Sequence, residues 1–232
     1  MTPRTAAELA RYIDHTLLAP EATRAEVLAL CRDAVEWNVA AVCISPSMLP
    51  LPGATLGSSV ALCTVAGFPS GAHAASTKAA EAALSVSNGA TEIDMVVNLG
   101  LVRDARWTDV EDEVRAVRDA VDTAIRAVSS TRRIVLKVIC ESAALGDDEL
   151  RSTCKAAVAA GADFVKTSTG FHKAGGATER AVAMMRESVG DLVGVKASGG
   201  IRTTTAALAM IEAGASRIGA SATRDILAGM PA

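Results

Sequence analysis

The sequence predicts an α/β protein, a single (β/α)8 TIM barrel over residues 1–232 with a short helix ahead of the first strand. Three observations predict it. Short apolar segments alternate with amphipathic segments of helical period from end to end, the pattern of a parallel sheet joined by crossover helices. A glycine-alanine step recurs at Gly89-Ala90-Thr91, Gly161-Ala162-Asp163 and Gly214-Ala215-Ser216. Each sits between a helical segment and the next strand, where glycine supplies the left-handed residue that ends a helix. Finally, eight strands can be counted in 232 residues with no linker or shift in composition, which suits one barrel domain. The count includes Ile13–Leu18; without that stretch the alternative is a seven-strand doubly wound sheet.

In order, Thr5–Tyr12 reads as a short helix and Ile13–Leu18 as a brief strand with a polar middle. Pro20 is expected to open a helix to about Trp37, its apolar stripe formed by Val27, Leu30 and Ala34 and, one step round, Leu28, Cys31 and Val35. Val39–Ser45 is a strand stopped by Pro46. Ser59–Phe68 is a longer strand closed by Gly67, Pro69 and Gly71, and a helix follows from about Ser76 to Ser87. Glu92–Asn98 is a strand. Thr108–Val128 has the clearest helical period, with Val110, Val114, Val117, Val121 and Ile125 on one stripe and charges between them. Arg133–Glu141 is a strand. Asp147–Ala160 is a helix with acids in its first turn, where the macrodipole favours them. The strand around Val165 and Lys166 comes next, then a helix capped by Thr178 and running to about Val189. Val193–Ser198 (strand), Thr203–Ala213 (helix), Arg217–Ser221 (strand) and a short helix to about Ala228 complete the series.

Composition narrows the function classes. Half of the residues are hydrophobic and 3% are aromatic, which supports a large core of small side chains. A formal net charge of −3 with scattered basic residues leaves no footprint for nucleic acid. Five cysteines without a CxxC pair read as buried thiols in a reducing cytosol. Met1–Ala10 has no apolar signal core, and no apolar run reaches membrane length. A soluble cytoplasmic protein is expected.

Strands covered on both faces should be almost wholly apolar. Here Asp14, Asp94, Lys137, Lys166 and Lys196 all fall inside predicted strands. A lone lysine in such a strand could reach past its end into water or pair with a carboxylate. Five ionisable groups on five strands of a closed barrel instead converge, and must pair internally or serve a site. The chemistry suggested is imine catalysis. Lys166 and Lys196 lie on consecutive strands, and two neighbouring ammonium groups disfavour each other's charge, so one can be a free amine that adds to an aldehyde or ketone. Asp94 and the second lysine can shuttle the protons. The protonated imine is itself the electron sink, so neither metal nor bound cofactor is required. The histidines His15, His73 and His172 have no ligand spacing.

An anion site is also legible. Ser198-Gly199-Gly200-Ile201-Arg202 precedes the helix at Thr203, and Gly219-Ala220-Ser221 precedes the last helix. Amides freed by glycine at helix starts bind phosphate, and in barrels the loops after strands seven and eight often do so. Gly170 and Lys173, or Gly175 and Gly176, could add a third wall. Thr167, Ser168 and Thr169 either hydrogen-bond substrate or cap the turn. Cys43 and Cys63 read as core packing, as do Trp37 and Trp107, and His73 lies either at the barrel mouth or in a solvated loop.

These stretches together resemble the 2-deoxyribose-5-phosphate aldolase family of class I aldolases. The likeness is carried by Ile13-Asp14-His15-Thr16-Leu17, Ala41-Val42-Cys43-Ile44, Val65-Ala66-Gly67-Phe68-Pro69, Glu92-Ile93-Asp94-Met95-Val96 and Leu136-Lys137-Val138-Ile139. It continues through Lys166-Thr167-Ser168-Thr169-Gly170-Phe171, Lys196-Ala197-Ser198-Gly199-Gly200-Ile201-Arg202 and Arg217-Ile218-Gly219-Ala220-Ser221, nearly the whole chain in order. The resemblance implies a (β/α)8 barrel in which Lys166 forms the Schiff base, Lys196 perturbs it, and Asp94 with Lys196 relays protons. It implies that Asp14, Thr16, Cys43, Lys137 and Thr167 line the substrate site, and that Gly170, Gly199, Gly200, Arg202, Gly219 and Ser221 surround the phosphate. The implied reaction is reversible cleavage of 2-deoxy-D-ribose 5-phosphate to D-glyceraldehyde 3-phosphate and acetaldehyde, in deoxyribonucleotide catabolism. The implied assembly is a homodimer or homotetramer. Phe171 stands where some members carry a phosphate-binding lysine, Ala222 where many have a second serine, and the only tyrosine is Tyr12 rather than one in the tail. From the residues alone, another imine-forming barrel lyase, a transaldolase, or a barrel that only binds a phosphorylated metabolite remain alternatives.

Overall fold

In a computed structural model, which describes residues 2–128 and 133–231, eight parallel strands close on themselves. They are β1 (Ile13–Leu17), β2 (Ala41–Ile44), β3 (Ala61–Ala66), β4 (Glu92–Val96), β5 (Val135–Ile139), β6 (Phe164–Lys166), β7 (Gly194–Ser198) and β8 (Arg217–Ala220). The α-helices are α1 (Ala6–Ala10), α2 (Arg24–Glu36), α3 (Ala75–Ser87), α4 (Leu99–Arg103), α5 (Trp107–Ala127), α6 (Asp147–Ala159), α7 (Glu179–Val189), α8 (Thr204–Glu212) and α9 (Thr223–Ala228). β1 decides the topology. It pairs with β2 on one side and β8 on the other, so the doubly wound alternative falls away.

The strands alternate as a closed barrel demands. Ile13, Val42, Leu62, Ile93, Met95, Leu136, Val138, Val165, Val195 and Ile218 pack in the apolar layer beneath the helices. Between them lie Asp14, Cys43, Cys63, Asp94, Lys137, Lys166 and Lys196, all buried. On α5, Val110, Val114, Val117 and Val121 are fully buried, each worth about 1.5–3 kcal/mol against leaving it in water. Gly89, Gly161 and Gly214 adopt positive φ just past α3, α6 and the last turn of α8. Thr178 caps α7 as expected, and Thr203, read as the first residue of α8, is its cap instead, each accepting an N–H from three residues on.

Three expectations need correction. Pro20 does not open α2. It lies in a turn closed by Ala22 N–H to Ala19 O at 3.0 Å, and the helix starts at Arg24, where Thr23 and Glu26 form a reciprocal capping box. The stripe of α2 is narrower than expected, because Val35 is exposed. The connection from β2 to β3 is no α-helix but a 3-10 turn, Pro46–Met48, and a loop, since Pro46, Pro50 and Pro52 deny amide donors to a helix there. The short α4, capped by the Asn98 side chain, was not anticipated.

Candidate active site

The carboxyl ends of the strands surround a cleft of about 310 Å³. Thr16, Lys166, Thr169, Gly170, Phe171, Ser198, Gly199, Gly200, Arg202, Gly219 and Ser221 are among its walls. Lys166 is the charged group at its floor, only 3% exposed. Register places it there: Lys166 is the partner of Lys196 across β6 and β7, as Asp94 is of Lys137 across β4 and β5.

Below Lys166 lies a closed electrostatic cluster. Asp94 Oδ2 accepts from Lys166 Nζ and from Lys196 Nζ, each at 2.7 Å, and Asp94 Oδ1 accepts from Lys137 Nζ at 2.8 Å. Lys196 also donates to Asp14 Oδ2, and Lys137 to Glu92. Arg217 completes the ring, 2.6 Å from Asp14 Oδ1 and 3.4 Å from Glu92 Oε2. Four cationic side chains thus meet three carboxylates. The surplus is one positive charge, and Lys166, whose ion pair is with Asp94, is the member that reaches the cleft.

The environment holds Asp94, Asp14, Lys137 and Lys196 charged. Burial pushes the Asp94 carboxyl up, but Lys137, Lys166 and Lys196 outweigh it and keep the group well below the usual carboxylate range. Burial likewise opposes the ionised form of Asp14, and Lys196, Arg217 and Lys137 overcome it. Burial pulls Lys137 and Lys196 down, and their carboxylate neighbours raise both above the ordinary lysine value. The sign follows for stability. The depressed carboxylates stabilise the fold above their unfolded values, about pH 4, and that stability is lost as pH falls through their lower folded values. The raised lysines stabilise it below about pH 10.4, with loss only as pH rises through their folded values. Thermal melts from pH 5 to 9 should therefore show no transition from Asp14, Asp94, Lys137 and Lys196, with loss setting in below about pH 4.

The expected residues divide by role. Lys196, Asp94, Asp14 and Lys137 are fully buried beneath the cleft rather than on its wall. Cys43 is buried beside Cys63, and their strands are in register at this pair. Thr167 faces away from the cleft: its hydroxyl donates to Ser198 O at 3.1 Å and accepts from Ser198 N–H at 3.0 Å, tying β6 to β7. Gly199 and Gly200 adopt φ of 89° and 83°, a conformation open to glycine and strained for other residues. Gly176 packs on the backbone of Gly199, where a Cβ would meet Gly199 O at 2.1 Å. It shapes the glycine wall from behind. Gly170 lines the cleft and Lys173 does not.

Sequence reasoning missed four groups. Glu92 and Arg217 sit two residues before Asp94 and Gly219 on the same inward faces, and that spacing was their signal. Cys63 lies 3.1 Å from Asp94 Oδ1. Glu141 follows β5 in the left-handed region at φ 57° and accepts the Thr169 hydroxyl at 2.6 Å, fixing the loop that bears Gly170 and Phe171. Among the described residues, two groups could geometrically hold a metal, Cys43 with Cys63 and Asp94, and Asp14 with Cys63 and Glu92. Their carboxylates already face a surplus of ammonium and guanidinium charge, so a divalent cation would have to displace a lysine.

A buried lysine cluster at the carboxyl mouth of a parallel barrel is the expected form of an imine-forming aldolase, and the chain matches the DeoC/LacD family aldolase model over residues 9–229. The chain belongs to this family. A protein of Kocuria rhizophila named deoxyribose-phosphate aldolase is 54% identical over 226 residues, covering 97% of this chain and 98% of its own length. One of Corynebacterium diphtheriae with the same name is 52% identical, covering 98% of each chain. Among solved structures, the tetrameric deoxyribose phosphate aldolase of Aeropyrum pernix superposes with a TM-score of 0.86 at 34% identity, covering 97% of this chain and 91% of that one. Along its strands the ionisable residues turn into the barrel together with a small apolar group, Ala41, Cys43, Cys63 and Val65, while the larger apolar cluster packs outward against the helices. Among the described residues, no helix is long and apolar enough to cross a membrane.

Proposed function

We propose that this chain is a deoxyribose-phosphate aldolase, a lyase that reversibly cleaves 2-deoxy-D-ribose 5-phosphate to D-glyceraldehyde 3-phosphate and acetaldehyde. The observation that carries the mechanism is Asp94 Oδ2 held 2.7 Å from both Lys166 and Lys196 below the cleft. In this reading neutral Lys166 adds to the aldehyde carbon of the open-chain sugar. The carbinolamine takes a proton on oxygen from the Asp94–Lys196 relay and leaves water and a protonated imine. The bond between the second and third carbons then breaks. Its electrons flow into the imine to give an enamine, while the third-carbon hydroxyl loses its proton and becomes the aldehyde of glyceraldehyde 3-phosphate. Protonation of the enamine and hydrolysis release acetaldehyde and Lys166.

Asp14, Thr16, Cys43 and Lys137 are assigned to the substrate end of this site, directly or through the cluster, and Thr167 to its wall by the loop it anchors. Gly170, Gly199, Gly200, Gly219 and Ser221 are assigned to the phosphate, with Arg202 as its cation, exposed at the rim. Replacing Arg202 with glutamine should raise KM for the phosphorylated sugar roughly 10- to 100-fold, as expected for one charge-assisted contact. Turnover of unphosphorylated deoxyribose should hardly change, and comparing the two substrates checks the assignment. The reading of residues 1–232 as one aldolase domain is supported by elements from β1 to β8 closing a single barrel. A homo-oligomer is proposed, dimeric or tetrameric, on the strength of the tetrameric relative. Five unpaired, buried cysteines support a cytoplasmic setting. The deciding experiment is a coupled assay for glyceraldehyde 3-phosphate released from deoxyribose 5-phosphate. Absence of release with the intact protein would overturn the substrate.

A further inference from the structure

A second buried charge pair lies outside the barrel interior. Lys78, in the first turn of α3, is fully buried, and its Nζ donates to Glu113 Oε1 of α5 and to the backbone oxygen of Val96, both at 2.7 Å. The other oxygen of Glu113 accepts the Asn98 N–H at 2.9 Å. The two side chains thus grip the end of β4, two residues beyond Asp94, through one carbonyl and one amide. The loop after β3 is held by the same device. Gly67 lies so close that a Cβ there would approach three carbons of the Lys78 stem within 2.9 Å, and its N–H donates to Glu81 Oε2 at 2.7 Å. A Cβ on Gly71 would meet Val97 O at 2.2 Å, so that loop and the end of β4 are wedged together.

A methionine would fill the place of Lys78 without taking a charge out of water, and a buried ion pair is weak support for stability alone. Burial does pull the Lys78 amine below its ordinary value, against the opposing Glu113 charge. What the pair supplies beyond packing is direction: it ties a backbone oxygen and a backbone amide to two helices. We infer that Lys78 and Glu113 are a positioning pair that sets the placement of Asp94 between Lys166 and Lys196. This rests on the relay roles proposed above for those three residues. A displacement of about an ångström at reacting groups can cost on the order of 100-fold in rate.

The test is exchange of the acetaldehyde methyl protons with heavy water, followed by NMR. The imine on Lys166 loses a methyl proton to the relay, and the resulting enamine takes a deuteron back. In the Lys78→Met/Glu113→Met double variant, exchange and kcat should fall together by about tenfold or more, with KM within about threefold of the parent. Trapping of Lys166 by acetaldehyde and borohydride at saturation should persist, because the nucleophile is untouched. Exchange at the parent rate, or loss of trapping along with exchange, would overturn the inference. Should the double variant not fold, Glu113→Gln decides by the same ratio, since the amide puts an NH2 donor where one of the two accepting oxygens stood, facing either Lys78 or the Asn98 N–H. Asp94→Asn is the control. If it exchanges at the parent rate, the relay reading fails. If it loses exchange while the Lys78 and Glu113 variants keep it, the positioning inference alone fails.

Discussion

Replacing Lys166 with alanine is expected to abolish turnover, lowering kcat by on the order of 10⁴-fold or more, because the covalent route disappears with the amine. The coupled assay for glyceraldehyde 3-phosphate measures the loss. Borohydride reduction with acetaldehyde, read by mass spectrometry of peptides, should place a two-carbon adduct on Lys166 in the parent and none there in the variant. Near-normal rates would rule out Lys166 as the nucleophile. The same variant should fold well. The cluster has four cations against three carboxylates, and removing Lys166 leaves three against three. Its melting temperature should therefore stay close to that of the parent.

Asp94→Asn should behave in the opposite way, losing stability and activity together. Asp94 accepts from Lys137, Lys166 and Lys196 and lies beside Cys63, entirely out of water. Asparagine keeps one acceptor oxygen and turns an NH2 donor toward ammonium groups, leaving four cations against two carboxylates. Breaking a buried ion pair from one side costs about 3–5 kcal/mol. Denaturant melts should show a loss of that size. Turnover should fall roughly 10²- to 10⁴-fold, the range of a general acid–base group. A variant of undiminished turnover would remove Asp94 from the relay, and undiminished stability would contradict the charge balance derived from the cluster.

Much of this site is legible before any coordinates. Lys166, Lys196, Lys137, Asp94 and Asp14 stand out because a strand buried on both faces has no ordinary use for a charge. The glycine pair after β7 stands out by its place before a helix, whereas Gly219, read the same way, lies within β8. Glu92 and Arg217 were less legible because each sits at the first residue of its strand, where charges often meet solvent. Glu141 hid because a non-glycine residue in the left-handed region leaves no mark in sequence. Thr167 was ambiguous among three hydroxyl residues, and only the backbone course shows that it bonds β7 rather than the cleft. Pro20 misled because the stronger start signal, Thr23 with Glu26, lay three residues further on.

The amino-acid sequence by itself determined the elements, their alternation, the apolar faces of the helices and the presence of charges where a buried strand should have none. These are local properties, set by periodicity, capping and the cost of burying an ion. The tertiary structure alone decided that β1 pairs with both β2 and β8 and so closes the sheet. It also decided which charges meet: Asp14 reaches Lys196 across 182 residues of sequence, and Lys166 reaches Asp94 across 72. The physical reason is that register and closure are collective. One strand's inward face acquires a meaning only when seven others fix which side chains share its level, and the surplus of one positive charge at Lys166 is a property of that level.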